Sequence, residues 1–282
     1  MNKGYIKISL AFLSLVGYMQ NVAFASERAA NFANKADSDL HETVFDKYRG
    51  FVCYDIYEIS EAMDHAKNAS TLLLKLSETG TDSYSSFFKG NGNNIIYFKK
   101  IGNMDIGRFQ FTIPFAYKYS DIIKELWDFN DIQKYNYKFI KGNLARVYSK
   151  NIIMFEKLIT DSNYTPLIKK YILAAKVKHS NDTTVILCPS RALNYLGIIG
   201  DEPNMKEILK NTQPIETDID PEEALTKLDT NIAGFVVKKC NNGVQITYIN
   251  AVYDSGNSIE YAYDKRDIYF VYMNILSLEQ RI

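Results

Sequence analysis

The chain has 282 residues, of which 46% are hydrophobic, and its 33 Lys and Arg side chains are balanced by 33 Asp and Glu. Because nucleic-acid-binding surfaces normally carry an excess of basic side chains to neutralise phosphates, this balance argues against a nucleic-acid partner. The length and the hydrophobic content suffice for one domain with a substantial core.

The first 25 residues have the pattern of a removable secretion signal. Lys3 and Lys7 precede an apolar run over 8–19, and the small-residue motif Ala23-Phe24-Ala25 follows it. The run is shorter than the roughly 20 apolar residues that a membrane span needs, so an uncleaved anchor is the less favoured alternative. Residues 26–50 have no sustained apolar period and predict a poorly ordered leader, which leaves 51–282 as the folded domain.

A helix and then three strands are predicted at the start of this domain. Between Tyr54 and Leu76 apolar residues recur every three or four positions without Pro or Gly, which is typical of an amphipathic helix docked on a core. From Tyr84 the period changes to two, and turns at 90–93 and 102–103 indicate an antiparallel meander. Its third strand is expected to bury one face and to expose the other, with Phe109, Phe111 and Ile113 inside and Arg108, Gln110 and Thr112 in solvent.

The next predicted element is a helix from Ser120 to Trp127, with Ser120 as its N-cap and Ile123, Leu126 and Trp127 on its apolar side. Strand patterns follow, most of them with one polar face, at 135–139, 145–148, 152–159, 171–178, 183–188, 233–239 and 244–250. Short polar turns between them favour one large curved antiparallel sheet. The long connection 190–231 contains three prolines and one expected short helix, Met205–Leu209, and connections of this length are often lids or binding loops.

The last predicted element is a helix that starts after Gly256. From Ile268 to Ile282 its apolar residues keep a spacing of three or four, and additional apolar residues at 269–276 predict that the sheet grips it on more than one side. Asp264 falls on the same apolar stripe. Either the regular helix therefore begins near Asp267, or a carboxylate points inward.

The sequence contains few histidines and none of the common catalytic motifs. The three histidines, His41, His65 and His179, lie in no recognisable catalytic context, and there is no phosphate loop, zinc motif or nucleophile elbow. We therefore expect a protein that is not an enzyme and that needs no metal or cofactor. With three cysteines, either Cys188 pairs with Cys240 or all three thiols, including that of Cys53, are free.

The residues also resemble a known family. The start of the chain, Met1 to Leu10, is similar to that of the fam-a proteins of rodent malaria parasites. The similarity continues through an ordered series of segments at 123–128, 145–148, 174–177, 182–186, 217–220, 231–235 and 246–248. As a series these segments are far more specific than any one of them alone.

This resemblance implies a START domain of the α+β class, in which a curved antiparallel sheet wraps a long C-terminal helix around a lipid tunnel. It implies a monomeric carrier of a single phospholipid, phosphatidylcholine being the class associated with the family, with transient membrane contacts. It also implies secretion into the parasitophorous vacuole or export to the host red cell. The alternative function is a non-catalytic surface or host-interaction module that keeps the fold without a functional tunnel.

Candidate lipid-binding residues follow from the apolar faces of the predicted strands and of the final helix. The expected tunnel lining consists of Phe109, Phe111, Tyr137, Phe139, Ile153, Phe155, Val177, Phe235, Ile246, Val271, Tyr272 and Ile275. For the head group, Trp127, Tyr137 or Tyr148 can offer an aromatic face to choline, and Arg146 can pair with phosphate. The same alternation is also what a solidly packed core produces, so the tunnel and the packed core stay as alternatives.

Overall fold

The computed structural model of the chain describes residues 44–89, 95–128, 143–159, 168–188, 192–195, 204–256, 258–276 and 278. Its compact unit begins at Val44, seven residues before the predicted domain boundary. The end of the predicted leader therefore belongs to this unit, and Val44 and Tyr48 pack against its core. The predicted signal peptide, most of the predicted leader and the predicted strand 135–139 lie outside the described residues.

The described helices are α1 (Val44–Lys47), α2 (Ile56–Glu78), α3 (Tyr119–Leu126), α4 (Met205–Asn211), α5 (Pro221–Thr226) and α6 (Ser258–Leu276). The first described strands are β1 (Ser85–Lys89), β2 (Ile95–Ile101), β3 (Met104–Pro114), β4 (Asn143–Ser149) and β5 (Ile152–Ile159). The remaining strands are β6 (Ile168–Lys178), β7 (Thr183–Leu187), β8 (Ala192–Tyr195), β9 (Ile232–Cys240) and β10 (Gly243–Tyr253).

These strands form one sheet in the order β1-β2-β3-β10-β9-β7-β6-β5-β4, with β8 paired to the first half of β6. Each of these pairings is antiparallel. At its centre β3 and β10 pair along their whole length, from Pro114 opposite Gly243 to Met104 opposite Tyr253. One antiparallel sheet with a long final helix on one face confirms the predicted α+β helix-grip class.

Helix α2 anchors the other face of the sheet. Asp55 caps its first turn by accepting hydrogen bonds from the backbone N–H groups of Tyr57 (2.9 Å) and Glu58 (3.3 Å). Its buried stripe includes Ala62, Ala66, Ala69, Leu73 and Leu76, which confirms the predicted docked helix, but Ile56 and Met63, which have the same apolar spacing in the sequence, are 70% and 53% exposed. Helices α4 and α5 pack beside α2, so this face of the sheet is covered by three helices.

The prediction that Arg108 lies on a solvent-exposed face of β3 is wrong. It is only 6% exposed, and its guanidinium donates to the carbonyls of Leu76, Ser77 and Thr79 at the C-terminal end of α2. A cation at this end of a helix is favourable because the last carbonyls have no partner within the helix. More generally, the prediction of one polar face per strand is wrong for β6, β9 and β10, because helices cover both faces of the sheet.

The start of α3 also differs from the prediction. A 3₁₀ turn over Ala116–Lys118 runs directly into the helix, so the N-cap is Lys118, which makes no side-chain cap, and Ser120 is exposed. Its fully buried residues are Ile122 and Leu126, whereas Ile123 is only partly buried. Without a side-chain cap at Ser120, the 3₁₀ turn rather than capping chemistry fixes where this helix starts.

The long connection between β7 and β9 holds more structure than predicted. The expected helix is present as α4, but α5 and the short strand β8 were not predicted. The sequence does carry a signal for α5, because Asp is a favourable N-cap residue and Pro is favourable in the first turn of a helix. In the structure Asp220 is the N-cap, accepting hydrogen bonds from the N–H groups of Glu222 (2.9 Å) and Glu223 (3.1 Å), and Pro221 occupies the first turn.

The final helix resolves the question that Asp264 raises. Helix α6 is already regular from Ser258, and Asp264 is buried, with its Oδ2 3.0 Å from Lys170 Nζ on β6 and 2.6 Å from Asn231 Nδ2. The alternative with an inward carboxylate is therefore confirmed. The prediction that α6 is gripped on several sides is wrong for Tyr269 and Met273, which are 61% and 49% exposed. No disulfide joins Cys53, Cys188 and Cys240, so of the two stated alternatives the one without a Cys188–Cys240 bridge is present in the structure.

Candidate functional site

An apolar cleft of about 330 Å³ opens between α6 and the outer strands of the sheet. The sheet contributes the wall formed by Ile96, Phe98, Asp105, Asn250 and Val252. The helix contributes the facing wall formed by Lys265, Ile268, Tyr269, Tyr272, Met273 and Leu276. Of the candidates from the sequence that the structure describes, Tyr272 is the one that borders this cleft.

Two periodicities build these walls. On β2 the alternating residues Ile96 and Phe98 point to the same face of the sheet. On α6 the residues Ile268, Tyr272 and Leu276 follow one another at intervals of four and line the inner side of the cleft. The neighbouring residues Tyr269 and Met273 form its exposed rim, so the cleft is accessible from solvent.

Tyr272 forms the floor of the cleft and is 6% exposed. Its hydroxyl accepts a hydrogen bond of 2.6 Å from Asn250 Nδ2 on β10. Gly107 makes this close approach possible, because a Cβ at that position would lie only 2.3 Å from the Tyr272 hydroxyl oxygen. Burial raises the pKa of Tyr272 well above its usual range, so the floor carries a neutral phenol at physiological pH.

One end of the cleft is polar. Lys265 Nζ lies 2.5 Å from Asp105 Oδ2, and it also sits 5.9 Å and 5.2 Å from the ring centroids of Phe98 and Tyr261. Burial by itself would raise the pKa of Asp105, but hydrogen bonds from Lys265 and from the Tyr261 hydroxyl outweigh it and hold that pKa below its ordinary value. The end of the cleft therefore presents one carboxylate and one ammonium group, flanked by aromatic rings.

The centre of the interface between α6 and the sheet is filled by aromatic rings. The rings of Phe109 and Phe111 stack at 5.3 Å, and those of Phe235 and Tyr248 lie 4.8 Å apart. Tyr272 meets Tyr248 edge-on at 5.5 Å. These contacts leave the cleft at the side of α6 that faces β2 rather than along the sheet centre.

Most of the proposed tunnel lining accordingly belongs to the packed core. The residues that lie on the α6 face of the sheet but outside the cleft are Phe109, Phe111, Trp127, Ile153, Phe155, Phe235, Ile246, Val271 and Ile275. The physical reason is that a packed core and a cavity wall require the same alternation of apolar residues. Which of them borders a cavity depends on where the helix lies, and strand periodicity carries no information on that position.

Three further candidates lie on the opposite, α2 side. Val177 packs into the core under α2. Arg146 Nε donates to Glu58 Oε1 over 3.3 Å, and the Tyr148 hydroxyl donates to the same oxygen over 3.0 Å. Arg146, the predicted phosphate-binding residue, therefore forms an ion pair with a buried carboxylate of α2. Tyr148, one of the three predicted choline-binding residues, donates a hydrogen bond to the same carboxylate and does not line the cleft.

Of the other aromatic candidates, Trp127 already has a cationic neighbour, because Lys176 Nζ lies 5.7 Å from the centroid of its ring. Burial lowers the pKa of Lys176, and the nearby charge of Lys150 adds to this effect. Tyr137 and Phe139 lie outside the described residues.

A second cavity, of about 240 Å³, lies beside β4 at the other edge of the sheet. Its wall includes the charged side chains of Arg146 and Glu156, and the Tyr171 hydroxyl donates to Glu156 over 3.0 Å. The cleft also contains two charged side chains, Asp105 and Lys265, but its exposed wall is mostly apolar, whereas that of the second cavity is more evenly polar and apolar. The width of the sheet separates the two.

The cleft residues on β2 were missed by the sequence reasoning, although Ile96 and Phe98 carry a clear alternating signal in Ile95-Ile96-Tyr97-Phe98. Among the described helices, none is long and apolar enough to cross a bilayer. Within the described ranges no three His, Cys, Asp or Glu side chains come together as metal ligands.

Comparisons with known proteins place lipid transfer domains among the similar structures. The chain is similar to the STAR-related lipid transfer protein from Xanthomonas axonopodis, with 11% identity over 71% of this chain and 98% of that one and a TM-score of 0.44. It is also similar to human STARD10, with 9% identity over 74% of this chain and 78% of that one and a TM-score of 0.36.

A third similar structure is the lipid transfer and protein localization domain of human StarD13, with 8% identity over 74% of this chain and 93% of that one and a TM-score of 0.33. Searches against protein-family models and against curated proteins find no match. Since all three TM-scores are below 0.5, the geometry of the cleft is the basis for a functional proposal.

Proposed function

We propose that the protein is a START-like, non-catalytic lipid carrier that holds lipid tails in the cleft between α6 and the outer strands. The observation that carries this proposal is the cleft itself, an apolar space of about 330 Å³ whose floor and walls are formed by Ile96, Val252, Tyr272 and Leu276. Small-molecule sites typically have roughly 300–1,000 Å³, mostly apolar walls and a few polar groups at defined positions.

The energetics favour a hydrocarbon ligand. Transfer of each methylene group out of water contributes about 0.8 kcal/mol, so a chain of several carbons in the cleft offsets the cost of immobilising the ligand. The polar end at Lys265 and Asp105 gives the ligand a direction, because charged groups of a lipid remain outside an apolar space unless they are paired.

The exposed rim supports transient contact with membranes. Tyr269 and Met273 project from α6 at the mouth of the cleft, and tyrosine is a side chain that suits the boundary between lipid and water. A carrier that docks with this rim facing the bilayer would receive a lipid without exposing its tails to water.

The finer parts of the proposal come from the sequence resemblance. We propose a monomeric member of the fam-a family whose ligand is a phosphatidylcholine-type lipid. The signal-like pattern over 1–25 supports secretion, either into the parasitophorous vacuole or onward to the host red cell.

A second candidate function is a surface or host-interaction module that keeps the fold without carrying lipid. The filled centre of the α6 interface favours it, because the rings of Phe109, Phe235, Tyr248 and Tyr272 occupy the space that a central tunnel would need.

Transfer of a fluorescent phosphatidylcholine between vesicles, measured with two matched variants, tests the carrier proposal. Leu276→Trp places a larger ring in the cleft and should slow transfer by about tenfold or more, equivalent to about 1.4 kcal/mol. Leu74→Trp is the control, since Leu74 is also a partly buried helical leucine but packs against the core on the α2 side.

We expect Leu74→Trp to transfer lipid at nearly the wild-type rate. Equal rates for Leu276→Trp and the wild type would exclude the cleft as the lipid site. A wild-type rate no higher than that in buffer alone would favour the interaction module.

A further inference from the structure

We infer that the Asn250–Tyr272 pair on the floor of the cleft donates a hydrogen bond to an ester carbonyl of the carried lipid. This inference rests on the proposed carriage of a phosphatidylcholine-type lipid, and it adds a requirement on how the chains are linked, because an ester has a carbonyl oxygen that an ether lacks. It follows from the donor hydrogens of the pair and from its place between the polar and the apolar parts of the cleft.

The pair holds more donor hydrogens than its own contact uses. An Asn amide has two N–H hydrogens, and a neutral phenol has one O–H hydrogen. The 2.6 Å bond between Asn250 Nδ2 and the Tyr272 hydroxyl uses one of them, and among the described residues neither side chain makes a further hydrogen bond. Both residues border the cleft, so the remaining hydrogens lie beside a bound ligand.

The strand register places this pair next to the polar end of the cleft. Across the β3–β10 pairing Asp105 is opposite Val252, and Gly107 is opposite Asn250. Two residues along a strand correspond to about 7 Å, so Asn250 lies about that far beyond Asp105. Ile96 lies farther along the cleft, where the wall is apolar. The cleft therefore presents charged groups first, then hydrogen-bond donors and then hydrocarbon.

A glycerophospholipid has its chemical groups in the same order. Its charged head is followed by the ester groups of the glycerol, and the alkyl chains follow the esters. A lipid with its head at Lys265 and Asp105 therefore has an ester group beside the Asn250–Tyr272 pair. Its chain then lies against the apolar part of the cleft, which includes Leu276.

A second tyrosine beside the pair also has a hydroxyl hydrogen to donate. Tyr248 lies two residues before Asn250 and so on the same face of β10, and its ring meets that of Tyr272 edge-on at 5.5 Å. It is fully buried, and no described residue forms a hydrogen bond with its hydroxyl. Since buried polar groups normally have a partner, a ligand oxygen is favoured in this part of the interface.

The selectivity comes from the cost of leaving these donors unpaired. When hydrocarbon alone covers the pair, the donor hydrogens lose water and gain no acceptor. A carbonyl oxygen replaces that water as an acceptor, whereas an ether linkage has no carbonyl oxygen. One such hydrogen bond corresponds to a difference of about fivefold in affinity.

Competition between two phosphatidylcholines tests the inference on the full chain. One has two ester-linked chains and the other has two ether-linked chains of the same length, so the lipids differ only in their carbonyl oxygens. Each is supplied in vesicles and competes with a fluorescent phosphatidylcholine for the wild-type protein. We expect the ester-linked lipid to displace the probe at a concentration about three- to tenfold lower. Equal displacement by both lipids, or better displacement by the ether-linked lipid, would overturn the inference.

Variants locate the preference in the cleft. Tyr272→Phe/Asn250→Leu removes both donors and, if circular dichroism shows it to be folded, should lower the preference to less than about twofold. Tyr272→Phe alone keeps the amide and should lower it by a smaller factor. Tyr171→Phe is the matched control and should keep the wild-type preference, because Tyr171 is also a buried tyrosine but borders the second cavity and donates to Glu156. A preference that persists in the folded double variant, or that Tyr171→Phe abolishes, would contradict the assignment.

Failure of this inference can be told apart from failure of lipid carriage. If the two lipids bind the wild type equally well and Leu276→Trp weakens both, the ester contact is wrong and carriage in the cleft stands. If neither lipid nor the probe binds the wild type, both are wrong.

Discussion

The same strands form both faces of the sheet, but helices cover the two faces to different extents. On the α2 face three helices cover the strands, and polar side chains seal the interface, with Arg108 at the end of α2 and Glu58 between Arg146 and Tyr148. On the α6 face, part of which α3 also covers, the long helix packs closely at the centre through Tyr272 and Ile275.

Beside that centre, α6 leaves the outer strands partly uncovered, and the cleft forms there. The difference shows that a binding space in this fold arises from the position of a helix. The apolar pattern of the strands is the same on both faces and does not distinguish them.

The largest expected effect comes from removing the buried anchor of α6. Asp264→Ala leaves Lys170 without its carboxylate in a place where the Lys170 side chain is 3% exposed, and we expect a loss of about 3–5 kcal/mol in the free energy of unfolding. Urea denaturation measures this loss. The double variant Lys170→Met/Asp264→Leu should recover most of it, and an equally large loss in the double variant would show that the ion pair is not the cause.

Arg108 tests the sealed face. Arg108→Met keeps much of the side-chain volume but removes the donors to the carbonyls of Leu76, Ser77 and Thr79, and we expect a destabilisation of about 1.5–3 kcal/mol. Lipid binding by the folded variant should be unchanged, because Arg108 lies on the face opposite the cleft. A clear loss of lipid affinity at a temperature where the variant is folded would mean that the two faces are not independent.

Gly107 tests the floor of the cleft. Gly107→Ala puts a Cβ where the Tyr272 hydroxyl lies, so Tyr272 must move and its bond to Asn250 is lost, at a cost of about 1–3 kcal/mol. Unlike Arg108→Met, this variant should also weaken lipid binding. Tyr272→Phe is its control, since it removes the hydroxyl, which is the atom nearest to the added methyl group, and leaves the Asn250 amide at 2.8 Å as the remaining close contact. The double variant should therefore be more stable than Gly107→Ala alone.

The smallest expected effect is a pH dependence at the polar end. The folded pKa of Asp105 lies below its ordinary value of 3.8, so its stabilising contribution is fully present above that value and is lost as the pH falls toward the folded pKa. The wild type should therefore lose more stability than Asp105→Asn between pH 6 and pH 3, by urea midpoints. Identical losses would show that the ion pair with Lys265 contributes nothing to stability.

The sequence predicts the fold well because strand and helix periods are local properties. The bounds of β5 match the prediction at both ends, and the inward carboxylate of Asp264 was one of two stated alternatives. The burial of Arg108 was not predictable from alternation, because the end of α2 that covers it is 29 residues or more away in the chain.

Which apolar residues border the cleft is not a local property, so the sequence could not single them out. Phe109, Phe235 and Tyr272 have equally apolar surroundings in the sequence, yet only Tyr272 borders the cleft. The distinction depends on the line that α6 takes across the sheet, which is a tertiary property. The missed wall residues Ile96 and Phe98 lie on a strand with a clear period, but periodicity gives no reason to separate them from core residues.

Photo-crosslinking with a lipid that carries a diazirine near the end of its acyl chain tests the central claim most directly, with the labelled peptides identified by mass spectrometry. The cleft predicts labels on β2 and on the inner side of α6, at residues such as Phe98, Ile268 and Leu276, with little label on α2. Labels concentrated on α2 or beside Arg146, or labelling that excess unlabelled lipid does not reduce, would contradict it.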